Sequence, residues 1–227
     1  MLHRECASSE LLNILADLQK KHSLGHFSLG EGTALALHLG HRKSDDIDLF
    51  TLRPILKERL KGFLDKTYGD KIRYTSEGDD SDFIHSYFGG IKVDFLSYRQ
   101  VYIEEPKVVE GIKLLGIKDI GALKLRAISN HRNKAKDFAD VYFILKDNSL
   151  EDMFGWYRKK YSKNDICDVK KSLLSFDRIG NDEWEGIKYL NYVSKEMIMN
   201  VISENISLYN RSNENKVDIT KMDNEEE

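Results

Sequence analysis

The hydrophobic pattern of this 227-residue chain changes period once, near residue 117, and that change limits the folds open to it. Before it, short runs alternate polar and apolar residues between glycine turns, a pattern of strands mixed with helices. After it, from Asp119 to about Tyr209, apolar residues recur at three- and four-residue spacing, the signature of helix. Breaks fall near Asp147-Asn148, Asn164 and Gly180-Asn181. We therefore expect an α+β chain: a mixed sheet with flanking helices, followed by a mostly helical C-terminal half. Residues 1–117 form the α/β domain, 118–210 the helical domain, and 211–227 a disordered acidic tail.

Within the first half, Leu11, Leu12, Ile14, Leu15 and Leu18 predict an amphipathic helix. Residues 26–29 predict a short strand, ended by a Gly30-Glu31-Gly32 turn, and 33–39 a helix stopped by Gly40. Strands follow over 46–51, 71–75, 82–88 and 91–96, with a helix over 55–64 and a hairpin turn at Gly89-Gly90. Further extended chain reaches Leu115.

Composition narrows the function classes. With 41% hydrophobic and 32% charged residues, the chain has the profile of a soluble globular protein. It lacks the run of about 18 apolar residues that a membrane span needs. Residues 1–6 carry no apolar run with a small-residue cleavage site, so no secretory leader is expected. Cys6 and Cys167 lie far apart and without metal-ligand spacing, which fits a reducing cytoplasm. A net charge of −3 and a pI near 6.2 give no global sign of nucleic-acid binding but leave room for a local basic face. The run His131, Arg132, Asn133, Lys134, Lys136 is one such candidate, read equally well as a solvated turn.

The chemistry concentrates around Asp46 and Asp48. Two apart on a strand, they leave the same face, while Ile47 and Leu49 point to the other. Adjacent carboxylates repel unless a cation sits between them, and hard oxygen donors suit Mg²⁺ together with substrate phosphates. An isolated Asp-x-Asp is more often a pair of surface acids. Here a glycine turn and a helix start come just before it, an arrangement that offers backbone N–H groups to an anion. Thr33 either caps that helix or touches a phosphate. The turn is neither a Gly-x-Gly-x-x-Gly fingerprint, since Leu35 holds the last position, nor a P-loop, since the lysine is missing. Asp94 lies on the strand after Gly89-Gly90, opposite the apolar face of Ile91, Val93 and Phe95. Should that strand neighbour the one carrying Asp48, three carboxylates converge, two for metal and one as base or bridge near an attacking hydroxyl.

The run Leu29-Gly30-Glu31-Gly32-Thr33-Ala34 … Arg42-Lys43-Ser44-Asp45-Asp46-Ile47-Asp48-Leu49-Phe50 resembles the opening motif of AbiEii/AbiGii-type nucleotidyltransferase toxins, in the DNA polymerase β-like superfamily. Asp119-Ile120-Gly121-Ala122-Leu123-Lys124-Leu125 … Lys136-Asp137-Phe138-Ala139-Asp140-Val141-Tyr142 resembles their downstream motifs. The resemblance implies a nucleotidyltransferase fold that moves a nucleoside monophosphate from an NTP, with Mg²⁺ (or Mn²⁺), onto a hydroxyl or a protein side chain. It implies a cytoplasmic toxin of a type IV toxin–antitoxin or phage-defence system, with an antitoxin encoded nearby and tRNA as an acceptor in some members. On this chain, Asp46, Asp48 and Asp94 would be the metal and catalytic acids, completed by Lys124 with Asp137 or Asp140. Gly30, Glu31, Gly32, Thr33, Arg42, Lys43 and Ser44 would bind nucleotide, and Ser44 matches a position of regulatory phosphorylation in some relatives.

The family usually has Gly-Gly-Thr where this chain has Glu31-Gly32-Thr33. Glutamate keeps the N–H, and the turn keeps its shape as long as its φ is negative. Lys124 falls in the stripe Ile120, Leu123, Ala127, Ile128, where a lysine either snorkels out or meets a phosphate. Asp137 sits at the edge of the next stripe and Asp140 further round, which favours Asp137 for an inward role. Two rival readings stand beside the toxin: a catalytically weak fold that acts by binding a partner, and an antibiotic-type enzyme acting on small molecules.

Overall fold

A computed structural model of the chain describes residues 1–75, 82–130, 134–161 and 165–225, with side chains described as far as residue 214. His131, Arg132 and Asn133 of the basic run, and the expected break at Asn164, lie outside the described residues. The chain divides into two compact units. One is Met1–Ile120 with Ile187–Asn191, the other Gly121–Gly186 with Tyr192–Glu227.

The first unit runs α1 (Ser9–Lys20), β1 (Ser28–Leu29), α2 (Glu31–Leu39), β2 (Ile47–Thr51), α3 (Lys57–Tyr68), β3 (Ile72–Tyr74), β4 (Phe83–Phe88), β5 (Ile91–Ser97), β6 (Lys107–Val109) and β7 (Ile112–Leu114). Its strands form one mixed sheet in the order β3-β4-β5-β2-β1-β7-β6 among the described residues. The β2–β5 and β1–β7 pairs are parallel and the others antiparallel. Strand alternation explains the core. Ile47, Leu49, Val93 and Phe95 share one face and are fully buried, and Phe27 meets Phe95 edge-to-face at 5.4 Å. In α1, Leu11, Leu15 and Leu18 form the buried stripe, and Ser8 caps the helix by accepting from the Leu11 N–H.

Two sequence expectations shift here. Helix α2 begins at Glu31 rather than Thr33, with Gly30 as its N-cap residue, so Thr33 lies inside the helix and does not cap it. Strand β2 begins at Ile47, which leaves Asp46 just before the ladder. A late segment also returns to this unit. Lys43 N–H donates to the Lys188 carbonyl (2.8 Å), Leu190 N–H donates to that of His41 (3.0 Å), and Arg42 bridges to Tyr189.

Helix α4 (Ile117–Ser129) crosses from the first unit into the second. The second continues as α5 (Ala135–Ile144), α6 (Leu150–Lys160), α7 (Ile166–Leu173), α8 (Asn181–Glu185) and α9 (Lys195–Glu225). Its core is aromatic: Phe138 packs near Phe176 and Trp184, and Phe154 meets Tyr209 edge-to-face. Gly121 lets Trp156 approach to 3.1 Å of where a Cβ would stand. The stretch from residue 211, expected as a disordered tail, instead continues α9 to Glu225. After Gly186 the chain has neither glycine nor proline, so nothing local stops a helix once it starts. Among the described residues, no helix is long and apolar enough to cross a membrane.

Candidate active site

The site is assembled from the sheet outward. On the parallel β2–β5 pair, Asp48 stands directly beside Asp94, so both side chains leave the same face, opposite the buried Ile47 and Val93. On the antiparallel β4–β5 pair, Asp94 stands beside His85. A row His85, Asp94, Asp48 thus crosses three neighbouring strands, with Asp46 at the entry to β2. Sequence reasoning missed His85, although counting back across the Gly89-Gly90 turn pairs it with Asp94.

Asp94 is buried. Its Oδ2 accepts from Lys92 Nζ at 2.6 Å, two residues along the same strand face. Its Oδ1 lies 3.1 Å from His85 Nδ1 but without hydrogen-bond geometry, so a buried carboxylate oxygen is left unsatisfied. Asp48 is half-buried, and its carboxyl is pushed up to about 7, first by burial and then by the charges of Glu31, Asp94 and Asp46, with Lys92 opposing. Burial pulls Lys92 down, but its bond to Asp94 and the charges of Asp94, Asp48 and Asp46 more than offset that, so the ammonium stays charged.

The glycine turn abuts this row. The Gly30 N–H donates to the Asp48 carbonyl at 2.9 Å, so it belongs to the β1–β2 pairing rather than to a ligand. The N–H groups of residues 31–33 head α2, where helix geometry supplies no intrahelical partner. A Cβ on Gly30 would stand 2.5 Å from the Phe50 ring, and one on Gly32 would stand 2.5 Å from the Arg42 guanidinium. At Gly30 a side chain would meet a packed ring, whereas at Gly32 it would displace the end of the Arg42 side chain. Glu31 between them has φ +53°, so the condition of a negative φ is not met, and a side chain occupies a conformation that glycine would adopt freely.

The remaining expected nucleotide contacts divide. Thr33 is buried; its hydroxyl donates to the Asp46 carbonyl and lies 2.8 Å from Ser44 Oγ, which pins the loop before β2. Ser44 is buried against it, and its N–H donates to the Cys6 carbonyl at 2.8 Å. Arg42 is buried over Gly32 and donates to the Lys43 carbonyl at 3.0 Å. Lys43 is exposed and its ammonium donates to the Glu5 carbonyl.

In the second unit, Lys124 is buried, not snorkelling. Its Nζ lies 2.8 Å from Asp137 Oδ1 and 3.1 Å from Asp140 Oδ2. The preference for Asp137 over Asp140 is thereby corrected: three apart on α5, both reach the same ammonium, and Asp140 is the more deeply buried.

The donor set suits a hard divalent cation, which takes one or two carboxylates and leaves positions for substrate phosphates. The unsatisfied Asp94 oxygen and the raised Asp48 carboxyl mark a place where added positive charge is favourable. Among the described residues, however, no three ligating side chains are already drawn around one point.

The family model described as nucleotidyl transferase AbiEii toxin, type IV TA system, matches residues 13–188. An uncharacterized protein of Aquifex aeolicus (strain VF5) is 33% identical over 180 residues, covering 75% of this chain and 85% of that protein. A Helicobacter pylori protein assigned as a nucleotidyltransferase aligns with a TM-score of 0.51 at 18% identity, over 92% of this chain and 98% of its own. Helicobacter pylori JHP933 aligns with a TM-score of 0.51 at 17% identity, over 95% and 98%. At such identities the two crystal structures speak for the fold alone. The family match over most of the chain and the Aquifex relative carry further: this chain belongs to the AbiEii nucleotidyltransferase toxin family.

Proposed function

We propose that the protein transfers a nucleoside monophosphate from an NTP to an RNA (tRNA) or protein acceptor, and that it acts in the cytoplasm as a toxin held in check by an antitoxin. The observation that carries the chemistry is the in-register Asp48–Asp94 pair, with Asp46 at the strand entry and the head of α2 beside it. In this reading the acceptor oxygen bonds to the α-phosphorus, the bond from that phosphorus to the β-phosphate bridging oxygen breaks, and pyrophosphate leaves. Asp94 takes the hydroxyl proton. Asp46 and Asp48 hold Mg²⁺ or Mn²⁺, which when bound neutralises phosphate charge and orients the reacting groups. Backbone N–H groups at the head of α2 receive phosphate oxygens. Thr33 and Ser44 fix the loop that aims Asp46, and Arg42 and Lys43 bring positive charge to the same edge.

Two residues favour a second reading, that of a slow enzyme or a binding protein. Glu31 adds an anion beside a site meant for a triphosphate, and Lys92 already occupies an Asp94 oxygen that a proton acceptor would use. One experiment separates the readings. The protein is incubated with each labelled NTP, Mg²⁺ and total RNA, alongside Asp46→Ala and Asp48→Ala. Label in RNA that disappears in both variants supports transfer to RNA, and label on the protein or on a small acceptor redirects the acceptor class. No transfer and no nucleotide binding would sink the proposal.

A further inference from the structure

A second concavity lies in the first unit, at the other end of β2. Thr51 stands about 10 Å along the strand from Asp48, at roughly 3.3 Å per residue. There a cavity of about 690 Å³ opens between the end of α1, the loop before β1, the residues after β2, and β7. Lys20, His22, His26, Arg53, Lys113 and Tyr102 line it, and no aspartate or glutamate does among the described residues. Lys21 also reaches it, but its charge pairs with Asp17 at 3.0 Å.

The C-terminal end of a helix attracts cations, and this accounts for Lys20 and His22. It does not account for Arg53 or Lys113, which arrive from the loop after β2 and from β7. Arg53 is fixed by its backbone: its N–H donates to Thr51 Oγ1 at 3.1 Å and its carbonyl accepts from Ser97 Oγ at 3.0 Å. Its guanidinium makes no ion pair or hydrogen bond among the described residues. Lys113 Nζ donates one hydrogen to the Gly25 carbonyl at 3.0 Å, with two left over. Arg53, Lys113 and His26 line the same cavity, and burial, then the charges of Arg53 and Lys113, hold His26 below the usual imidazole range. Of the acids whose charge reaches Tyr102, Glu105 is exposed, and the Asp119 carboxylate accepts from the Ile103 and Glu104 N–H groups. On a chain of net charge −3, such convergence is local rather than a by-product of overall basicity.

We propose that this cavity is a phosphate-binding site distinct from the carboxylate row, for a ligand with more than one phosphate. The shared chemistry is the phosphate oxygen, met by lysine, arginine and imidazole donors with Tyr102 as an aromatic neighbour. Two sources supply it: the backbone of a single-stranded nucleic acid, or a free oligophosphate. The inference stands apart from the transferase reading, because binding is measured here without divalent cation and without turnover.

The test is fluorescence anisotropy with a labelled single-stranded RNA in EDTA across a salt series, and calorimetry with pyrophosphate. The parent is compared with Lys20→Glu/Arg53→Glu and with the milder Lys20→Gln/Arg53→Gln. Both positions are exposed, so the fold is expected to hold, and circular dichroism checks that. If the backbone is the ligand, RNA binding weakens in both variants, and the slope of log K against log salt becomes shallower by about 0.7 for each phosphate that the variant no longer neutralises. Pyrophosphate then fails to displace the strand. If a free oligophosphate is the ligand, pyrophosphate binds the parent, displaces RNA, and loses affinity in both variants. RNA and pyrophosphate binding that is unchanged in folded variants, or absent from the parent, overturns the site.

Discussion

Glu31 enters α2 at φ +53°, a conformation that costs a non-glycine residue roughly 1–2 kcal/mol, while its carboxylate presses on Asp48. Glycine would remove the strain but lose about 0.5–1 kcal/mol more backbone entropy on folding. Glu31→Gly is therefore expected to stabilise the protein by about 0.5–1 kcal/mol in a urea titration, and to tighten NTP binding by removing an anion. A lower midpoint would mean that the glutamate side chain contributes more than its backbone costs. Asp48 gives a pH dependence. Its folded value, about 7, lies above its ordinary 3.8, so its contribution to stability is whole below 3.8 and is lost as pH rises through 7. Without divalent cation, the melting temperature should fall between about pH 4 and 7. Asp48→Asn should flatten that fall, and Mg²⁺ should reverse it at the upper end. A pH-independent melt in the parent would refute the raised carboxyl.

Elements decide how these residues meet, and they differ in how well residues alone foretell them. The β4–β5 hairpin follows from Gly89-Gly90, and with it the pairing of Asp94 with His85. The parallel β2–β5 pairing that brings Asp94 to Asp48 has no local signal, because the two strands are joined by a long crossover and any of several neighbours would satisfy the same alternation. Recognition of the motif foretold the family, but neither the left-handed Glu31 nor the loop role of Thr33, whose hydroxyl meets Ser44 and the Asp46 carbonyl more than ten residues away in the chain. Lys124 shows the limit of helix geometry: its stripe position by itself favours escape to solvent, and two carboxylates across on α5 offset the cost of burying it. Lys124→Met, which takes away the cation both share, should cost about 3–5 kcal/mol by chemical denaturation. Adding Asp137→Leu and Asp140→Leu should recover much of that loss, as an apolar cluster replaces an ionic one. No recovery would show that the acids hold further partners needed for the fold.

At the scale of the whole chain, the first unit is discontinuous. Ile187–Asn191 returns to it and holds residues 41–43, and so holds Arg42 over the glycine turn. A fragment ending at Ile120 should melt below the same fragment with residues 187–191 joined through a short flexible linker; equal melting would make the returning segment dispensable. This arrangement also sets a timetable. At roughly 5–20 residues per second, synthesis of the 71 residues from 121 to 191 takes roughly 4–14 s, during which the nascent chain carries every carboxylate of the row but lacks its clasp. The first unit is thus completed only after residues 121–186 of the second have been made, so its clasp closes late in synthesis.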